Sequence, residues 1–192
     1  MSNELYPIFL KTHQLRILIV GGGYVALEKL TFLFKSSPNS LVTVLSPMLR
    51  PETKAFIHNH GIDYVEGTYD KNFLSGFHMA IATTDQPTVN LQVYDDCRSL
   101  NILVNVADNP PLCDFYMGSI VTKGNLKVGI STNGKSPTFA KRFRQWLEAF
   151  LPEEIDEMLN KLYIYRGQLK GDFQHKLEAM NKATEKLIQQ ND

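Results

Sequence analysis

Charge of one sign is what this chain lacks most plainly: 20 lysines and arginines stand against 20 aspartates and glutamates in 192 residues. A grip on nucleic acid rests on a basic field, so the balance speaks against a nucleic-acid partner. Long hydrophobic runs are missing as well. None approaches the roughly 18 apolar residues that cross a bilayer, which speaks against a membrane partner. The start, MSNELYPIFLKTHQ, has no basic stretch ahead of a long apolar core and no small-residue cleavage site, so it does not read as an export signal. Cysteine is scarce. Cys97 and Cys113 stand too far apart for the CxxC of a redox or zinc site, and without export they should stay reduced. Histidines are scattered: His58 and His60 would point to different faces of one helix, and His13, His78 and His175 stand alone. The expectation is a cytoplasmic protein with free thiols and no metal-ligating cluster.

What is present is alternation. Short β-rich runs at Arg16–Val20, Leu41–Leu45, Ile62–Val65, Phe77–Thr83 and Ile102–Val106 enclose helical patterns at Tyr24–Lys35, Pro51–His60 and Pro87–Leu100, with a short connection at Asp70–Ser75. Strands alternating with crossover helices predict a Rossmann-like parallel sheet of the α/β class. After Asp108 the pattern changes. NPPLCDF is a break, and two β-like runs around Lys123-Gly124-Asn125 predict a hairpin. Ser136 then stands where it can cap a helix opened by Pro137, with Phe139, Phe143, Trp146, Leu147 and Phe150 along one side. Beyond Pro152 the chain reads as charged helix, with an apolar stripe from Ile155 to Met180 and a division near Gly171. So little local sequence covers that stripe that it should dock on the domain or on a second subunit. The expected domains are 1–112, 113–150 and 151–192.

Gly21-Gly22-Gly23-Tyr24-Val25-Ala26 fits G-x-G-x-x-A between a strand and a helix. Such a turn needs Gly21 for its tightness, Gly23 for the approach of backbone to a pyrophosphate and Ala26 for close packing of helix on strand, and the helix N-terminus offers N–H groups to phosphate. A glycine turn can also pack a βα unit with no ligand at all. The acid that usually ends the second strand and holds a ribose hydroxyl is missing, since Ser46 and Pro47 stand there. Arg50 beyond them is either a partner for a 2′-phosphate or an exposed loop arginine. At the end of the fourth strand Thr83 and Thr84 are candidates to line a dinucleotide, and Asp85 is either a site residue or the cap of the next helix.

Taken together, YPIFL, ILIVGGGYVALEKLTFLF, VEGTYD, AIATTDQPTVN, VNVADNP and DFYMGSIVTKGNLKVGISTNGKSPTFAKRFRQWLE resemble, in order from about Tyr6 to Pro152, the precorrin-2 dehydrogenase and sirohydrochlorin ferrochelatase family, the N-terminal part of siroheme synthases. The tail after Pro152 resembles only that family's helical extension. The resemblance implies NAD-dependent oxidation of precorrin-2 to sirohydrochlorin and, in bifunctional members, insertion of ferrous iron as a chelatase substrate. It also implies a Rossmann domain, a small dimerisation domain giving a homodimer, and a helical domain. The fused methyltransferase domain of some members is not expected here. The family's NVxD motif falls on Asn105-Val106-Ala107-Asp108, which makes Asp108 the expected catalytic group and sets Asn105 in the substrate site. NAD contacts are implied for Gly22 to Val25 and for Ser46, Pro47 and Met48. The family commonly lacks the missing acid, so NAD fits and NADP stays open. For a polycarboxylate macrocycle, Lys135 and Ser136 are the first choice of substrate contacts, ahead of Lys141 and Arg142.

Two other readings compete. A nucleotide-sensing module, similar to the regulatory domains of potassium transport systems, would bind the dinucleotide without turnover, but such modules usually keep the acid absent here. A structural helical dimer would leave the glycine turn without a ligand.

Overall fold

A computed structural model describes residues 3–185. Its first half is a five-stranded parallel sheet. The chain runs β1 (Arg16–Val20), α1 (Tyr24–Ser36), β2 (Leu41–Ser46), α2 (Pro51–His60), β3 (Asp63–Glu66), a short 3-10 turn, β4 (Met79–Ala82), α3 (Pro87–Leu100) and β5 (Leu103–Val106). The strand order is β3-β2-β1-β4-β5, with β1 paired parallel to both β2 and β4. The chain therefore reverses its direction of winding at β1, the switch point of a Rossmann sheet.

Alternation along each strand divides the core between two faces. Ile17, Ile19, Val44 and Ile81 pack with Ala26, Leu30 and Phe34 of α1 and Ile57 of α2. Leu18, Val20, Leu45, Ala80 and Ala82 face the other way and pack with Val93 and Cys97 of α3. Strands buried on both faces read as continuous apolar runs, which is how the sequence presents them.

Two expected strands start one residue late, for a shared reason. Ile62 N–H donates to Ile57 O and Ile102 N–H to Cys97 O, closing the ends of α2 and α3 after left-handed residues Gly61 and Asn101. Each isoleucine belongs to a helix C-cap and only then does the strand begin. β4 is likewise shorter than the expected Phe77–Thr83: Phe77 N–H closes the preceding 3-10 turn on Leu74 O.

Packing groups the chain into two units, the first comprising Met1–Ser119 with Ser131–Ala140, the second Ile120–Ile130 with Lys141–Asp192. The hairpin strands are β6 (Ser119–Lys123) and β7 (Leu126–Ile130), and the helices are α4 (Pro137–Phe150), α5 (Ile155–Gln168) and α6 (Phe173–Thr184). Asp156 of α5 pins the hairpin turn: its Oδ1 accepts Asn125 N–H at 2.6 Å and Asn125 Nδ2 at 2.8 Å. Lys123 adds an ion pair to Glu153 at 2.7 Å. Ser136 caps α4 as expected, its Oγ accepting Phe139 N–H at 3.2 Å. Gly171, at φ 108, separates α5 from α6. Among the described residues no helix is long and apolar enough to cross a membrane, and Cys97 and Cys113 are free.

Candidate dinucleotide site

Four loops leave the carboxyl edge of neighbouring strands β2, β1, β4 and β5, and nearly all the expected site residues lie on them. The turn after β1 is the tightest. Gly21 has φ 120, and a methyl group on it would sit 2.6 Å from Thr83 Oγ1 and 3.0 Å from Thr83 carbonyl carbon. A methyl on Gly22 would lie 2.4 Å from Met48 O. Gly23 differs: nothing lies within 4 Å of a Cβ placed there. Two glycines are thus demanded by packing inside the protein, and the third faces open space.

Gly23 is the N-cap of α1, and no side chain caps that helix. The helix bonding starts with Leu27 N–H on Gly23 O, at 3.2 Å. The N–H groups of Tyr24, Val25 and Ala26 therefore precede the helical ladder, as first-turn donors do, and the helix dipole adds positive potential there. Tyr24 is exposed, Val25 half-buried and Ala26 buried against the sheet. A pyrophosphate fits this combination of open cradle and unspent donors. Thr53 of α2, fully buried, braces the turn by donating its Oγ1 to Gly23 O at 3.2 Å.

The loop after β2 is closed on itself. Ser46 Oγ donates to Met48 O at 2.7 Å, and Tyr64 donates its hydroxyl to Ser46 O at 2.9 Å. Pro47 and Met48 are exposed beside it. Met48 O in turn lies against Gly22, so Ser46 shapes the wall of the glycine turn and its own hydroxyl is committed. Arg50 is exposed, with Nε 3.6 Å from Glu52.

The loop after β4 is held by Asn90, which the sequence reading passed over. Thr83, buried, donates Oγ1 to Val20 O at 2.9 Å. Thr84 Oγ1 lies 2.7 Å from Asn90 Oδ1, and Asn90 Nδ2 donates to Thr84 O at 2.9 Å. Asp85 is not the cap of α3. The N-cap is Gln86, without a side-chain cap, and Gln86 N–H goes to Thr84 Oγ1 at 3.2 Å. Pro87 at the first helical position has no N–H to offer, so there is less for a cap to satisfy. Only an asparagine at an inward position of α3 could have signalled this bracing.

Asp108 follows β5, exposed, at φ 57. Asn109 N–H donates to Val106 O at 3.2 Å, so Asp108 occupies the third place of a tight turn. Left-handed backbone is uncommon outside glycine, with asparagine and aspartate adopting it more readily than most, and strained positions gather at functional sites. Asn105 is buried, its amide donating to Phe115 O at 2.7 Å. Lys135 and Ser136 lie on a turn containing Asn133 and Gly134, both at positive φ. They share the first unit with the sheet, yet no hydrogen bond or ion pair among the described residues joins either to Asp108 or to the glycine turn.

A cavity of about 350 Å³ lies elsewhere: it opens at the amino edge of β1, β2 and β3, between Arg16, Phe34, Asn39, His60 and Asp63. Ligands of open α/β sheets bind at the carboxyl edge, and a dinucleotide groove is shallow before it is filled, so the four loops define the candidate site. Among the described residues no three His, Cys, Asp or Glu side chains are grouped to hold a metal ion.

Comparison with known proteins agrees with this geometry. The family model described as "Putative NAD(P)-binding" matches residues 8–119, more than half of the chain, and that described as "Sirohaem biosynthesis protein central" matches residues 123–149. A siroheme synthase of Psychrobacter cryohalolentis is 36% identical over 175 residues, covering 91% of this chain and 32% of that protein. Siroheme synthase 1 of Aeromonas salmonicida is 36% identical over 170 residues, covering 88% and 36%. The chain thus spans about a third of the length of the curated relatives it matches. Among solved structures, "SirC, precorrin-2 dehydrogenase" superposes with a TM-score of 0.75 at 20% identity, covering 93% of this chain and 88% of that one, a likeness of fold. With an NAD(P)-binding sheet over its first half and the sirohaem central region directly after it, this chain belongs to the siroheme synthase N-terminal family.

Proposed function

We propose that this protein oxidises precorrin-2 to sirohydrochlorin, passing a hydride to NAD+ and releasing a proton. The observation that carries the reading is the pairing of an open, uncapped Gly23 cradle with a carboxylate, Asp108, held in a left-handed turn at the same sheet edge. Asp108 lies two strands from β1, roughly 10 Å at ordinary strand spacing. The family membership supports the same assignment.

Bound NAD+ supplies the hydride acceptor. The protein's own part is to hold and to move a proton. The first-turn N–H groups of α1, with Gly22 and Gly23, would hold the pyrophosphate, Tyr24 and Val25 would flank it, and Ser46 to Met48 with Thr83 and Thr84 would line the groove. Asp108 accepts the proton that leaves the macrocycle as the hydride departs, a role open to a solvent-exposed carboxylate with no ion pair among the described residues. Lys135, and the α4 N-terminus beyond the Ser136 cap, would receive substrate carboxylates. Ferrous iron insertion belongs to the same reading as a second reaction, with iron as substrate and Asp108 receiving pyrrole protons.

The family's assembly fits the second unit. Residues 113–150 would form a homodimer contact, 1–112 the nucleotide domain and 151–192 the helical domain, in a cytoplasmic enzyme. Phe143, Trp146 and Phe150 stack along α4 at 5.6 and 5.2 Å and stay exposed, as an interface ladder would.

The test is an anaerobic assay of precorrin-2 with NAD+, then NADP+, following sirohydrochlorin absorbance, with Fe2+ added afterwards and Asp108→Asn in parallel. Sirohydrochlorin from the wild type alone is expected. Nucleotide binding without turnover would sink the dehydrogenase and favour a sensing module.

A further inference from the structure

We propose that Asn105 is a positioning residue: with Cys113 it clamps the turn that carries Asp108, and it acts on the reaction through that turn and not by touching substrate. The inference rests on the dehydrogenase reading above, which gives Asp108 its role. β5 is the last strand of its sheet, so its outer edge would present unpaired backbone groups. The chain turns after Val106 and comes back along that edge.

The return is tied by three side chains. Asp114 N–H donates to Val104 O at 2.8 Å, while the Asp114 carboxylate accepts Val104 N–H at 3.0 Å and Arg98 Nη1 at 2.7 Å. Cys113 Sγ accepts Val106 N–H at 3.3 Å and lies 3.2 Å from Val106 O and 3.3 Å from Asn109 O, so one sulfur spans both ends of the Asp108 turn. Asn105 Nδ2 donates to Phe115 O at 2.7 Å and reaches Cys113 Sγ at 3.4 Å.

Asn105 is only 6% exposed. Its two amide hydrogens are committed inside the protein, so they have nothing left for a substrate carboxylate. Asp108, by contrast, is exposed and makes no side-chain hydrogen bond among the described residues, so nothing but the backbone around it keeps it at φ 57. Left-handed backbone carries a cost for aspartate as for other residues with a side chain, so the contacts that hold the turn also hold Asp108 in it. The clamp behind the turn supplies those contacts: Asn105 fixes the returning segment, and Cys113 fixes the turn to that segment.

The experiment compares Asn105→Ala, Cys113→Ala and Cys113→Ser in the full chain, with thermal protection by NADH reporting the fold and the glycine cradle. Asn105→Ala is expected to keep that protection and to lower kcat about ten-fold or more while KM for precorrin-2 stays within about two-fold. Cys113→Ala should follow it, and Cys113→Ser, whose hydroxyl keeps the donor and the acceptor, should recover most of the rate. In an Asp108→Asn background, Asn105→Ala should subtract nothing further, because the group it positions is gone. A raised KM with unchanged kcat, or losses that multiply in the double variant, would make Asn105 a substrate contact and overturn the proposal. Hydrogen exchange at Asn109 N–H tests the clamp whatever Asp108 does: about ten-fold faster exchange in Asn105→Ala is expected, and unchanged exchange overturns it. Wild-type turnover by Asp108→Asn would instead refute the role given to Asp108, and absence of turnover by the wild type would refute the dehydrogenase reading.

Discussion

The sheet unit and the hairpin-and-helix unit use similar proportions of apolar residues to different ends. In the first, β1, β2, β4 and β5 bury side chains on both faces, and apolar residues of α1, α2 and α3 are buried against them. In the second, α5 and α6 bury no residue fully, Trp146, Phe150, Tyr163 and Phe173 are all more than half exposed, and Val121 of β6 is the one fully enclosed side chain in the hairpin. A unit that keeps its aromatics in water is held by local staples such as Asp156 on the hairpin turn and Lys123 on Glu153. The buried core clusters and the candidate nucleotide site belong to the first unit, and among the described residues the second unit leaves many large apolar side chains exposed.

The strongest way to sharpen the contrast is to remove chemistry from the sheet unit without disturbing its core. Asp108→Asn should lower turnover by about 10²- to 10⁴-fold, the range of a lost acid–base group, while melting stays level or rises, since asparagine suits left-handed backbone better. A fall in melting temperature together with activity would break the claim that Asp108 is there for function. Next come the glycines. Gly22→Ala must push its methyl into Met48 O and should cost about 2–4 kcal/mol by denaturant unfolding. Gly23→Ala, in open space, should change stability by no more than about 0.5 kcal/mol yet abolish protection by NADH, and equal losses for both would show that the turn is only structural.

For the second unit, sedimentation should find a dimer that Trp146→Glu converts to monomer while NADH protection persists. Trp146 is the chain's single tryptophan, so its emission should move to the red on dissociation. If the stripe is covered in this way, Trp146→Ala should cost about 3 kcal/mol in the assembled protein, and almost nothing if it is not. The smallest effect is alkaline. Burial, then the charges of Asp96 and Asp114, push the Cys97 thiol up to about 12. The unfolded chain ionises that thiol first, so the stability it contributes is whole below about pH 9 and falls by up to about 1.4 kcal/mol per pH unit from there towards pH 12. Burial and neighbouring Asp96 also raise Tyr69, which extends the loss to higher pH. Melting across that window for wild type and Cys97→Ala should differ in slope, and parallel curves would remove Cys97 as a cause.

Much of the sheet was legible because its signals are local. Pro51 and Pro87 at first helical positions, the left-handed cap at Gly61 and the glycine turn all act within a few residues, and so α2 and α3 begin and end where the pattern placed them. The first residues of β3 and β5 were misplaced because Ile62 and Ile102 look like strand yet serve the helix before them. Asp85 looked like a cap because capping residues are recognised by type, whereas the Thr84–Asn90 pair had already taken up the turn.

By itself the sequence determined the order and kind of the elements, the glycine cradle and the carboxylate after β5, since periodicity and turn chemistry are written over neighbouring positions. The tertiary structure alone decided which glycines the packing demands, why the Ser46 hydroxyl hydrogen and the Asn105 amide hydrogens are already committed, and which apolar side chains stay exposed. Those outcomes depend on partners that strand order brings together, Thr83 on Gly21 or Phe115 on Asn105, and no local pattern records them.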